Sequence, residues 1–210
     1  MEHLRYRSIQ YNLAKPVGYV EGERYPLLIY VHGAGGRGHD LTQIGLSYQL
    51  AEYAEMKSLP LMVAAPLCEF DNWYMCFTEL VDFVRYAASM EGVDPDRVYL
   101  MGASMGGYAT WALLMCVPEL IAAATPICGG GMAWNAARIR EVPVWAFHGV
   151  DDGVVDVTES IRMVNALRGC GGTVKLTLLP EVGHNAWEPA FRQHGAVEWM
   201  LEHRLSDRAK

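Results

Sequence analysis

No run of apolar residues in this 210-residue chain approaches the ~20 that a membrane-spanning helix needs. Basic runs are missing as well. Lys and Arg total 17 against 24 Asp and Glu, a formal charge of −7, so neither nucleic acid nor an anionic membrane surface is an expected partner. There is no C-x-x-C pair. The five cysteines, at 68, 76, 116, 128 and 170, are odd in number and scattered, which suits free thiols in a reducing compartment rather than a disulfide framework. With no H-E-x-x-H and no paired Cys/His spacing, no metal site is expected. No apolar signal-peptide core follows the opening Met-Glu-His-Leu-Arg-Tyr-Arg, so the cytoplasm is the expected compartment. Repeats, low-complexity tracts and linkers are absent, and residues 1–210 read as one domain. Its 51% hydrophobic and 20% charged residues are enough for a folded core.

What the chain does have is an alternation of short apolar runs with longer amphipathic ones. That pattern is the signature of strands joined by helical crossovers in a mostly parallel sheet. Strands are expected over Leu4–Leu13 (as one edge strand), Leu27–Val31, Leu61–Ala65, the run into Gly102, Ile121–Ile127, Val142–Phe147 and Val174–Leu179. Helices are expected over Leu41–Met56, over Cys76–Met90 and after Ser104. A further helix should be capped by Asp156 with Glu159 as its partner, and a closing helix should carry Pro189 in its first turn. About seven strands and five or six helices result, with no segment left over for a substantial lid or cap domain.

The stretch Arg97–Trp111 holds Gly102-Ala103-Ser104-Met105-Gly106, with a β-branched and apolar run before it and a small-residue run after it. A G-x-S-x-G between strand and helix describes a nucleophile elbow, in which a strained turn lifts the serine Oγ above the sheet. Glycines at 102 and 106 remove Cβ atoms where strand and helix cross closely. A serine nucleophile needs a base, and the base needs an orienting acid, in chain order Ser, acid, His. His184 follows the final strand on a glycine-containing loop and is the expected base. The acid comes from Asp151, Asp152 or Asp156. Asp156 is explained as a helix cap, and spacing from the strand end favours Asp152, with Asp151 as the alternative. Oxyanion donors are expected from the N–H of Met105 and from the loop His32–Gly36. That loop lacks the endings of a phosphate cradle. His32 and His148 end strands and read as loop braces. Trp73 and Trp187 either fill core at loop bases or wall an acyl or aryl pocket beside Ser104.

V-H-G-A-G-G-R-G, G-A-S-M-G-G, H-G-x-x-D and V-G-H-N-A-W resemble the α/β-hydrolase superfamily, from about Leu27 to Trp199. Within it they are most similar to small lidless carboxylesterases, including phospholipase/carboxylesterase-like, feruloyl-esterase-like and predicted-peptidase proteins. The resemblance implies an α/β fold with helices on both faces of the sheet. It implies Ser104 as nucleophile, Asp152 as acid, His184 as base, and Ala34 and Met105 as oxyanion donors, with Gly35 beside Ala34. Relatives often carry Glu where Gly36 stands, and proline after the valine where Asp156 follows Val155. The expected activity is hydrolysis of small soluble esters without a cofactor. Thioester or peptide hydrolysis is the alternative within enzymes, and a non-catalytic binding protein the alternative outside them. Oligomeric state is not readable from the sequence.

Overall fold

The structure, a computed structural model, describes residues 1–208. Eight strands form one sheet: β1 (Glu2–Tyr6), β2 (Ile9–Ala14), β3 (Tyr25–Val31), β4 (Met62–Pro66), β5 (Val93–Ala103), β6 (Ala123–Ile127), β7 (Val144–Gly149) and β8 (Val174–Leu179). Their order is β1-β2-β4-β3-β5-β6-β7-β8. The pairs β1/β2 and β2/β4 are antiparallel and all the others parallel. Six α-helices connect or flank them: α1 (Gly45–Met56), α2 (Phe77–Ala88), α3 (Met105–Cys116), α4 (Thr158–Gly169), α5 (Trp187–Arg192) and α6 (Ala196–Leu201). This is the α/β-hydrolase fold that the resemblance implies. No described helix is long and apolar enough to cross a membrane.

The period-2 alternation of the parallel strands divides the core in two. Leu27, Ile29, Val31, Val98 and Leu100 point to the face covered by α2, α3 and α4. Leu28, Tyr30, Tyr99, Met101 and Ala103 point to the face covered by α1, α5 and α6. Helix α3 is apolar on nearly every side and accordingly buried along its length, so the element behind the elbow is the most enclosed helix of the fold.

Three elements differ from expectation. The single edge strand over Leu4–Leu13 is a hairpin turning at Arg7-Ser8, where Arg7 takes φ +51°. That pair lacks the Asn-Gly or Asp-Gly signal of tight hairpins, and Arg7 is tethered outside the hairpin by Asp82 at 2.7 Å. The helix expected from Leu41 begins at Gly45 instead, after a 3-10 turn over Leu41–Gln43. Buried Asn12 donates from Nδ2 to Leu41 O at 2.9 Å, the carbonyl that the Gly45 N–H would need in a continuous helix. The closing helix is two short ones, divided at Gly195 in the left-handed region at φ +69°. The cap expected at Asp156 is shifted: Val157 holds the N-cap position of α4 without a side-chain hydrogen bond, while Asp156, one residue earlier, accepts from Thr158 N at 2.8 Å and Glu159 reaches forward to Arg162.

Helix α3 approaches the sheet so closely that a Cβ at Gly106 would collide with the carbonyls of Val31 and His32. These are backbone atoms held in β3 and its continuation, so relief requires moving helix or strand. Gly106→Ala is therefore expected to cost at least about 2 kcal/mol in urea unfolding. Gly45→Ala, which meets open space at the start of α1, should cost nothing or stabilise slightly. Equal midpoints for the two variants would contradict this packing.

Candidate active site

Ser104 is the residue between β5 and α3 and has φ +56°, ψ −118°. A non-glycine residue held there costs on the order of 1–3 kcal/mol, which the surroundings must outweigh. They do so through hydrogen bonds from Ser104 N to Ile127 O (3.0 Å) and from Tyr108 N to Ser104 O (3.1 Å), and through the buried helix that follows. The side chain is thereby delivered to the carboxyl end of the sheet.

His184 lies on the loop after β8 and reaches Ser104 Oγ with Nε2 at 2.9 Å. Its Nδ1 lies 2.8 Å from Asp152 Oδ2, an acceptor when ionised, so Nδ1 carries the proton and Nε2 is free to accept from the serine. The other carboxylate oxygen of Asp152 accepts from Val154 N and Val155 N at 2.8 and 2.9 Å. Burial works against charge on Asp152. Hydrogen bonds from His184 and from the N–H groups of Val155 and Val154 outweigh it and hold the carboxyl below its ordinary value. Asp151 is exposed, and its N–H is bound to Val182 O at 3.0 Å. His184 is thus within hydrogen-bond reach of both Ser104 and Asp152, and Asp151 and Asp156 are not part of the chain of contacts.

Met105 opens α3 and Ala34 opens a 3-10 turn (Ala34–Gly36) after β3, so neither N–H has an acceptor within its own helix. The turn sits against the elbow: a Cβ at Gly33 would lie 3.1 Å from Ala103 O and 3.4 Å from Ser104 Cβ. Arg37 pins it from outside, donating from Nε to Ala34 O and from Nη1 to Asp71 O, each at 2.8 Å. At Gly36 a Cβ would come within 2.7 Å of His32 Nδ1, which leaves no room for the glutamate often found there in relatives.

A cavity of about 400 Å3 opens beside Ser104 and His184. Ala34 and Gly35 line it, and Tyr30, Ile44, Leu46 and Trp187 supply apolar wall. Among the described residues no Asp, Glu, Lys or Arg lines it. Trp187 also stands perpendicular to the His184 ring at 5.5 Å. Trp73 is a correction to the pocket-wall reading. It is wholly buried beneath the loop that follows β3, donates Nε1–H to His32 O at 2.9 Å and does not line the cavity. The indole N–H takes a carbonyl that the end of β3 leaves unpaired, so Trp73 is a brace.

His32 is the second brace. Cys68 N donates to its Nε2 at 3.0 Å, so its proton sits on Nδ1 and goes to Gly33 O at 2.7 Å. Burial pulls its pKa down to about 4. Cys128 went unread as a neighbour of the site. It has φ +40° at the end of β6 and its Sγ–H points to His184 O at 3.6 Å. Burial pushes its thiol up to about 12, which keeps it protonated and unreactive. Cys128, Asp152 and His184 offer donor atoms within 4.8 Å of one another. Asp152 and His184 are hydrogen-bonded to each other and the thiol holds its proton, which suits a hydrogen-bond network better than a metal.

The model of the prolyl oligopeptidase family matches residues 68–130, which include the elbow. A solved thermostable esterase superposes with a TM-score of 0.82 at 32% identity, over 93% of this chain and 59% of that one. Esterase YpfH of Escherichia coli (strain K12) is 24% identical over 104 residues, half of this chain and 45% of the relative. A bifunctional acetylxylan esterase/xylanase of Neocallimastix patriciarum is 38% identical over 65 residues, 30% of this chain and 10% of the relative. The chain therefore spans less than half the length of these two curated relatives.

The neutral His32 makes stability depend on pH. Its folded-state pKa lies below its unfolded value of 6.5, so the unfolded chain binds the extra proton first. Stability is full above pH 6.5 and falls toward pH 4, by about 1.4 kcal/mol per pH unit inside that window. His203, lowered by burial, adds in the same direction. Urea titrations between pH 4 and 7 should show a shallower slope for His32→Gln than for the wild type. Identical slopes would remove the assignment.

Proposed function

The chain belongs to the α/β-hydrolase superfamily and is esterase-like within it, and on that premise we propose that it is a single-domain serine carboxylesterase acting on small esters. The observation that carries this reading is the hydrogen-bonded series Ser104 Oγ, His184 Nε2, His184 Nδ1, Asp152 Oδ2, at 2.9 and 2.8 Å, opening on an uncharged cavity. Ser104 Oγ attacks the ester carbonyl as His184 Nε2 takes its proton, and Asp152 steadies the imidazolium. The oxyanion is met by the N–H groups of Met105 and Ala34, with Gly35 beside them. His184 returns the proton to the departing alcohol, and water activated by the same nitrogen then releases the acid from Ser104. An apolar acyl group fits against Ile44, Leu46 and Trp187, and no added cofactor takes part.

Peptide hydrolysis is the second reading, favoured by the match to the prolyl oligopeptidase model across the elbow. The uncharged lining weighs toward esters, since it offers no carboxylate to a peptide's terminal ammonium and no cation to a terminal carboxylate.

Purified protein is expected to turn over p-nitrophenyl acetate and butyrate, with Ser104→Ala lowering kcat at least about 10^4-fold. Asp152→Asn should lower it about 10^3- to 10^4-fold, while Asp151→Asn stays within about threefold of wild type. Turnover that survives Ser104→Ala unchanged would end the proposal.

A further inference from the structure

Two imidazoles approach Asp152 Oδ2. Besides His184, the ring of His148, at the end of β7, places Nε2 3.3 Å from Asp152 Oδ2 and 3.0 Å from Val155 O, and the side chains of His148 and Asp152 are both fully buried. A peptide carbonyl and an ionised carboxylate only accept, so Nε2 of His148 carries its proton and donates toward the acid loop. The other ring nitrogen, Nδ1, lies 2.7 Å from the hydroxyl of buried Ser160 on α4, and that hydroxyl lies 3.0 Å from Gly129 O beyond β6. One connected set of contacts therefore runs from the loop after β6 through α4 and the end of β7 to the carboxylate that orients the base. A histidine that only filled space would not need both nitrogens aligned with partners, one on the loop after β7 and one on α4.

We infer that His148 is a positioning residue that fixes the Asp152 carboxylate, and through it the orientation and basicity of His184, a role that rests on the esterase reading of the site. Oδ2 is the oxygen that both rings approach. The His148 N–H thus lies against the same oxygen that His184 uses, and removing it leaves His184 as the one imidazole at Oδ2, which makes the carboxylate a stronger partner for the His184 imidazolium. The carboxylate also gains freedom to rotate, which moves Nε2 of His184 off the serine hydroxyl. The other titratable groups facing this pair are Asp156 on the same loop, Cys128 at the end of β6 and Tyr108 on α3. All three are retained in the test below, so their contributions cancel between variants.

The test compares wild type, His148→Phe, His148→Gln and Ser160→Ala on p-nitrophenyl acetate across pH, together with the downfield proton resonance of His184 Nδ1–H. For His148→Phe, kcat is expected to fall roughly 10- to 100-fold with KM little changed, as reacting groups are misplaced by a fraction of an ångström. The acid limb of kcat/KM is expected to move up by roughly half a pH unit or more. His148→Gln, which can still present an N–H to Asp152 and Val155, should restore most of kcat and bring the acid limb back. If His148→Phe does not fold, Ser160→Ala carries the test, with smaller changes of the same sign. A folded His148→Phe or Ser160→Ala with wild-type kcat, acid limb and proton resonance overturns the inference. The esterase reading fails separately, if wild type shows no turnover that Ser104→Ala abolishes. The His184 resonance then still decides the positioning role, because it is read without substrate.

Discussion

The close crossing of helix α3 over strand β5 is the constraint from which the rest of the site follows. At Gly106 the helix backbone touches the carbonyls that end β3, and at Gly102 the strand touches the helix in return. Side chains at either position would separate the two elements, and with them the serine from the loop that closes over it. The strain at Ser104 is tolerable because the helix behind it is buried on nearly every side and cannot swing away. In the proposed reaction, a serine so placed needs no movement of its own to reach a bound carbonyl. The loops after β3, β7 and β8 have only to arrive around it.

Those loops are set by histidines whose roles are decided by their partners rather than by their positions in the chain. His32 accepts from one backbone N–H and donates to one carbonyl, which makes it a neutral strut under the loop after β3. His184 has a carboxylate on one nitrogen and a hydroxyl on the other, the arrangement from which the proposed reaction moves a proton. His148 faces acceptors with Nε2 and so gives a hydrogen bond into the acid loop. Burial does complementary work at Cys128, where it keeps a thiol protonated within reach of the His184 carbonyl and so out of the chemistry. The result is a site with one ionised group, Asp152, enclosed by donors, next to a cavity without charge.

The sequence carried most of the parallel core, because strands buried on both faces are continuous apolar runs and the crossover helices have clear periodicity. It misread elements whose form depends on tertiary partners. Nothing local announces that Asn12 takes the carbonyl of Leu41 and delays α1, or that Arg7 turns a hairpin without a glycine. Gly195 marks the break between α5 and α6, a glycine signal lying inside otherwise continuous apolar spacing. In the site, the motif order and strand-end positions led to Ser104, Asp152 and His184, which the fold brings within hydrogen-bond distance. Trp73 and Trp187 were indistinguishable by sequence, since both are loop indoles. Only the direction of each ring separates the buried brace from the cavity wall. The contact of His148 with Asp152 joins residues four apart in a loop, where no periodicity fixes which way a side chain turns.

The central claim is that Ser104 is made nucleophilic by His184, and mass spectrometry of the protein after brief exposure to a fluorophosphonate measures this most directly. The account predicts a single adduct on the peptide that contains Ser104, absent from Ser104→Ala and strongly slowed in His184→Ala. An unlabelled wild-type protein, or labelling that continues at the same rate in either variant, would contradict it.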